Sequence, residues 1–400
     1  MALARPYIRV GQWGIIILTL PLLVALIISL VDDLTKKTRP GSWTVAIVVF
    51  WIAALCLVNL VTLPKQSMDE VLLTEEAQRG LVHGLNPYQR NFQGTIFDQW
   101  RGDLRPFGGI HPATEHYVYF PGQIVMSLPF FASLTATGWY DQRIVYFTAY
   151  FALLLVIWMN LRGSANREAL VLAFALNPFF VFLFYGFNDL MVLFLFAAGS
   201  FCFARSRWGL GAVFFGAAVA TKQTALITVA FMLLWLWFSP AVSRRSRIRA
   251  SLIVVGMAAV IIGPFVLWSP SAFTEDTIDF FTSGMGTTTP GEGFGKLLML
   301  AGWHNATASP LRRLVELAIV FSIIVWLAGW VIRRPSLYRA ILAGAIGLAA
   351  IWFFSSYFLP AHAGVVLILI TLAYLINEVE GRATSLGTSA VSAGSKIQPS

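Results

Sequence analysis

Asp69 and Glu70 stand side by side a few residues past Pro64, where a long apolar run of the chain ends. Desolvation at such a boundary raises a carboxylate pKa toward the range of a general base. Seven-residue spacing puts Asp69, Glu76 and His83 near one stripe of a helix, with Glu70 and Glu75 pointing elsewhere. Acids near a helix start also complement its dipole, so Glu75 and Glu76 are read equally as solvated helix acids. Lys222 is a lone ammonium between two apolar runs. It either meets an anionic partner or snorkels to the interface. Arg312 and Arg313 open another apolar run, as contacts for a lipid phosphate or as headgroup anchors. His362 lies in a short polar link, where its ring either donates to a phosphate or sugar or is structural. Asp189, beside Asn188, opens a run of its own and either binds hydroxyls or marks the membrane edge.

The elements that must hold these groups are membrane helices. Of the 400 residues, 58% are hydrophobic and only 12% charged, with a mean hydropathy of +0.73. A water-soluble surface needs far more charge than that. Eleven apolar runs predict spans near 12–31, 43–63, 143–161, 169–185, 190–204, 209–221, 224–238, 250–268, 310–332, 340–357 and 362–377. The shorter ones are expected to be partial or kinked. The fold class is therefore an all-α polytopic membrane protein of about 11 transmembrane helices. The first run is read as retained rather than cleaved. Cys56 and Cys202 fall inside apolar runs and read as small buried hydrophobes.

The net charge of +9 does not imply a nucleic-acid partner, because the basic residues sit in short inter-span loops. The loops at 162–167, 205–207, 244–249 and 333–339 mark one side as cytoplasmic. The amino-terminal segment is ambiguous: Lys36, Lys37 and Arg39 compete with Arg5 and Arg9 for that side. Residues 64–142 and 269–309 then face outside, provided that the apolar stretch 121–138 does not cross. It is short, opens on Pro121-Gly122 and carries Pro129, so a kinked interfacial helix is expected there. Most of the chain's 19 acids, among them Asp103, Glu275, Asp276 and Glu292, fall on this outer side. The main unit is expected over 1–377, followed by a disordered cytoplasmic tail over 378–400.

The spacing from Asp69 to Gly84, Asn86, Pro87 and Tyr88 resembles the first external loop of GT-C glycosyltransferases, most closely glycosyltransferase family 87, the polyprenol-phosphate-mannose-dependent mannosyltransferases. Tyr119-Phe120-Pro121 is similar to the family's Tyr-Pro-Pro segment, lacking its first proline. Asn177-Pro178, Gly186 to Asp189, Gly209 to Gly216 and Thr221 to Thr224 resemble further family segments. The likeness covers roughly residues 60–240. Beyond them only architecture and an external link from Tyr357 to His362 support it.

The resemblance implies a GT-C-like bundle with external juxtamembrane helices. It implies inverting transfer of a hexose, mannose first, from a polyprenyl-phosphate sugar to a glycolipid or glycan. Asp69 is then the base and Glu70 its fallback. Lys222, His362, Arg312 and Arg313 meet the donor phosphate, and Glu76, Asn86, Tyr88, Tyr119, Asn188 and Asp189 bind substrate. No cofactor is implied. No Asp-x-Asp pair or His or Cys cluster has metal-ligand spacing, and His111, His116 and His304 are weaker candidates for any role. Asn305-Ala306-Thr307 fits a glycosylation acceptor only in a eukaryotic secretory pathway. The expected location is a multi-pass cell membrane, bacterial inner membrane rather than endoplasmic reticulum. A transporter or flippase is the rival reading, and would require mid-membrane charges and repeated halves. A lipid-linked polymer ligase or phospho-transferase is a second rival.

Overall fold

The computed structural model describes residues 42–65, 68–100, 111–280, 293–302, 310–355 and 358–394. The expected span at 12–31, Asp103, Glu292, His304, the Asn305 acceptor pattern and Tyr357 lie outside them.

The described chain is helical, with no strand among the described residues, and it forms an all-α polytopic membrane fold. Six of its helices are long and apolar enough to cross a membrane. They are α1 (Ser42–Thr62), α4 (Arg143–Asn160), α10 (Arg244–Trp268), α13 (Pro310–Arg333), α14 (Leu337–Phe354) and α15 (Pro360–Gly394). Shorter helices fill the sequence between them: α2 (Asp69–Val82), α3 (Gly122–Thr135), α5 (Arg167–Ala175), α6 (Phe180–Leu183), α7 (Asp189–Ala204), α8 (Trp208–Thr221), α9 (Ala225–Phe238), α11 (Pro270–Thr274) and α12 (Phe294–Leu300).

Three boundaries differ from the sequence expectation. The run at 169–185 is not one helix: α5 and α6 are separated at Asn177-Pro178, where proline lacks an N–H and Asn177 Oδ1 instead accepts the Phe179 N–H at 3.1 Å. Helix α10 starts in the basic segment ahead of its apolar run, because Ser243 caps it by accepting the Ser246 N–H at 3.2 Å and arginine is a good helix former. Helix α15 keeps a helical backbone as far as Gly394, past the limit of 377 expected from loss of apolar periodicity. Near its start Glu380 Oε1 accepts the Leu337 N–H at 3.4 Å, which ties the extension to the beginning of α14.

Burial separates the bundle centre from its lipid-facing rim. Half or more of the apolar windows of α4 (50%), α14 (56%) and α15 (56%) is covered by protein, against 11% for α13. Between α8 and α10 the contact depends on a missing side chain, since a Cβ on Gly216 would lie 2.6 Å from the Val254 carbonyl oxygen. Small residues at such crossings let membrane helices approach closely.

The two ends of the bundle differ in charge. At one end arginines cover the last carbonyls of helices: Arg167 Nε donates to Trp158 O at 3.1 Å and Arg205 Nη2 to Asn160 O at 3.3 Å. Arg247 Nη2 donates to Ser239 O at 2.6 Å. At the opposite end α2 and α3 lie over the ends of α7, α8 and α10. Helix α3 is 14 residues, about 21 Å, against a hydrocarbon core of about 30 Å. The chain on either side of it meets at this end. Glu75 of α2 accepts the Gln142 N–H at 3.1 Å, and Lys65 Nζ donates to Tyr140 O at 3.4 Å.

Candidate active site

Helix α2 presents two very different acids in its first turn. Glu70 is buried, and its Oε2 accepts the Asn188 N–H at 2.9 Å. Asp69 keeps 27% of its side chain exposed. Its Oδ1 accepts the Glu70 N–H at 2.9 Å, which anchors the carboxylate on the positive end of its own helix. Its Oδ2 lies 3.3 Å from Nε2 of His111.

Behind Glu70 is a buried knot of charge. Lys222, just past the end of α8, donates from Nζ to Asn188 Oδ1 at 2.7 Å and to Asp189 Oδ2 at 2.9 Å, with Glu70 Oε1 at 4.0 Å. Asn188 is fully buried and its Nδ2 donates to Gln123 Oε1 at 2.7 Å. Gln123, in the first turn of α3, in turn donates to Thr74 Oγ1 at 2.6 Å and to the Tyr146 hydroxyl. Five elements, α2, α3, α4, α7 and the α8–α9 junction, thus meet in one hydrogen-bonded cluster. Burial pushes the Glu70 carboxyl up to about 7, against the opposing pull of the Lys222 ammonium. Glu70 thus takes up a proton near neutrality.

The Gly-x-Asn-Pro-Tyr segment builds the frame around these acids. Gly84 adopts φ +76°, a conformation glycine takes without strain. Asn86 Oδ1 then accepts the Tyr88 N–H at 3.1 Å, and the Tyr88 hydroxyl donates to Tyr119 O at 2.8 Å. The Tyr88 ring packs edge-on against Phe273 at 4.8 Å and Tyr117 at 5.5 Å. Asn86, Tyr88 and Tyr119 are all buried. They tie the loop after α2 to the segment before α3 and to α11. A second tie runs through Asp276 in the π-turn Glu275–Asp279, which meets His116 Nδ1 at 2.6 Å and accepts the Tyr117 N–H at 2.8 Å. Burial pushes the Asp276 carboxyl up to about 6 despite these partners.

The remaining expected site residues are placed elsewhere. Glu76 is clamped by Arg90, whose Nη2 is 2.9 Å from Oε2 and whose Nη1 donates to the Glu76 carbonyl. Its neighbour on the expected stripe, His83, sits exposed at the end of α2 with Nδ1 2.7 Å from Arg79 O. Glu75 and Glu70, which that stripe left out, lie on the buried face. Lys65 pairs with Glu75 at 2.6 Å. His362 is buried, stacked at 4.2 Å on Trp352, with Nδ1 accepting the Leu359 N–H at 3.1 Å. Arg312 pairs with Glu316 at 2.6 Å through Nε, while its buried Nη1 has no hydrogen-bond partner among the described residues. Arg313 is exposed.

The cluster therefore joins Asp69, Glu70, Asn188, Asp189 and Lys222, and adds Thr74, Gln123 and His111. Thr74 and Gln123 are neutral residues in otherwise ordinary helical stretches. Their only mark in the sequence is polarity on what becomes a buried face. Among the described residues no group of three His, Cys, Asp or Glu side chains gathers as a metal site.

The family model of glycosyltransferase family 87 matches residues 117–376, more than half of the chain. The match includes Tyr119, Asn188, Asp189, Lys222, Arg312, Arg313 and His362, and begins after Asp69, Glu70, Glu76, Asn86 and Tyr88. No curated protein matches the chain.

Proposed function

The chain belongs to glycosyltransferase family 87 and is a membrane glycosyltransferase, and from that membership we propose that it moves a hexose, mannose first, from a polyprenyl-phosphate sugar to a glycolipid or glycan. The reaction takes place at the outer face of the cell membrane, a bacterial inner membrane in this reading. The carrying observation is the pair of unlike acids on α2. Asp69 is open enough to meet an acceptor hydroxyl, while Glu70 is enclosed by Asn188 and Lys222. The position of this pair at the end opposite the arginine-capped helix ends supports the external placement.

In the proposed step Asp69 takes the proton of the acceptor hydroxyl as its oxygen attacks the anomeric carbon. The bond from that carbon to the phosphate oxygen breaks, its electron pair leaves with the polyprenyl phosphate, and the configuration inverts. Lys222 is balanced by Asp189 and Glu70, so its first task is to hold those carboxylates in register with α2. Of the cations expected at the phosphate, Arg312 has the clearest remaining capacity, because its Nη1 is a buried donor without a partner among the described residues. Arg313 and His362 are secondary contacts in this scheme.

Purified protein incubated with labelled polyprenyl-phosphate sugars and a lipid extract tests the reading. Asp69→Asn is expected to lower transfer by roughly a hundredfold or more, the ordinary contribution of a general base. Full retention of transfer in that variant would remove Asp69 from the role.

A further inference from the structure

Resting on the reading of Asp69 as the base, we propose that His111 is its positioning residue, holding the carboxylate through a neutral Nε2–H whose tautomer the backbone fixes. The Nδ1 atom of His111 lies 3.1 Å from the Ala113 N–H and accepts from it. A neutral imidazole has one donor and one acceptor nitrogen, so the proton resides on Nε2. That nitrogen is the one 3.3 Å from Asp69 Oδ2. The other carboxylate oxygen, Oδ1, is held by the Glu70 N–H. One oxygen is thereby tied from inside α2, and the other faces the imidazole from across the site.

The ring has little freedom to turn. Phe97 and Trp100 pack against it edge-on, at 5.1 Å and 4.5 Å between centroids, and the His111 side chain caps the short turn Pro112–Glu115. The same geometry shows what His111 does not do. Its Nε2 already carries a proton and the Nδ1 lone pair is engaged, so it cannot receive the proton that Asp69 takes from the acceptor. That proton leaves from the exposed side of Asp69 to water. Protonating His111 would set an N–H against the Ala113 N–H and break the cap, so the arrangement requires the neutral ring. Among the described residues, the other charged groups that interact with Asp69 are Glu70, one residue on, and Lys222.

Two substitutions separate positioning from folding. His111→Asn retains an acceptor able to cap the Ala113 N–H but no longer reaches Asp69; His111→Gln keeps an N–H donor at the length of Nε2. In the transfer assay with labelled polyprenyl-phosphate mannose, His111→Asn is expected to lower kcat by roughly ten- to a hundredfold, the loss of one hydrogen bond to a charged group. Its KM and melting temperature are expected to stay near wild type. His111→Gln is expected to recover most of the rate. A wild-type rate in His111→Asn, alongside an inactive Asp69→Asn, overturns the positioning role and leaves the base intact. Equal loss of rate and melting temperature in both His111 variants also overturns it, in favour of a purely structural ring. An active Asp69→Asn instead overturns the reading of the base itself.

Discussion

At the scale of single residues the site depends on burying an acid that is only partly compensated. Glu70 has a folded-state pKa raised to about 7 by desolvation, so the native protein binds more protons than the unfolded chain between its ordinary value and that one. The stabilising contribution is therefore complete below about pH 4.5 and is lost as pH rises through about 7. The full swing is on the order of 3 kcal/mol. Melting curves in detergent from about pH 5 to about pH 8 are expected to fall less steeply for Glu70→Gln than for wild type; parallel curves would show that Glu70 does not carry this dependence. Asp69, Glu70, Asp189 and Lys222 were all legible beforehand, because a charge at the edge of an apolar run is conspicuous. Glu76 was less so. Helical periodicity placed it on a stripe with Asp69, but its partner Arg90 comes from a loop whose course no spacing rule gives.

Among elements, the short helices decide whether the cluster assembles. Helix α3 carries Gln123 to Asn188 only because its first residue sits directly on the end of α8. A Cβ on Gly122 would meet the Ala220 carbonyl oxygen at 2.5 Å and the Thr221 nitrogen at 2.8 Å, both backbone atoms that cannot step aside. Gly122→Ala is expected to destabilise by about 2 kcal/mol and to lower transfer in proportion to the disturbed Gln123–Asn188 bond. Thermal melting together with the transfer assay measures both, and an unchanged melting temperature would show that the two helix ends are free to separate. The bounds of α1, α4, α13 and α14 were legible from composition to within a few residues. The break between α5 and α6 was marked by Asn177-Pro178, yet hydrophobicity alone ran straight through it. The start of α10 was hidden for the opposite reason: a basic segment reads as a loop, although serine capping and arginine propensity favour a helix there.

For the whole molecule, sidedness is the property on which the proposed reaction depends. In a variant with Cys56 and Cys202 replaced, a cysteine at exposed Trp139 is expected to react with a membrane-impermeant maleimide on intact cells. A cysteine at exposed Ala165 is expected to react only after permeabilisation. The reverse pattern would turn the protein over and move the cluster to the cytoplasmic side. The opposed charge of the two ends was readable in part from the sequence, since the short arginine loops and most of the acids lie at opposite ends of the apolar runs. The joining of α2, α3 and α7 was not, because it depends on contacts between residues more than a hundred positions apart, such as Glu70 with Asn188. The knot around Lys222 has one further consequence. Among the described residues Asp69, Glu70 and Asp189 outnumber the one ammonium of Lys222, so the cluster is anionic, and more so once Glu70 has lost its proton. A donor whose phosphate is already esterified to a sugar carries less charge than the bare lipid phosphate left after transfer. In the proposed transfer these acids would therefore repel the by-product more strongly than the donor, and the field that favours the reaction would also clear the site for the next turnover.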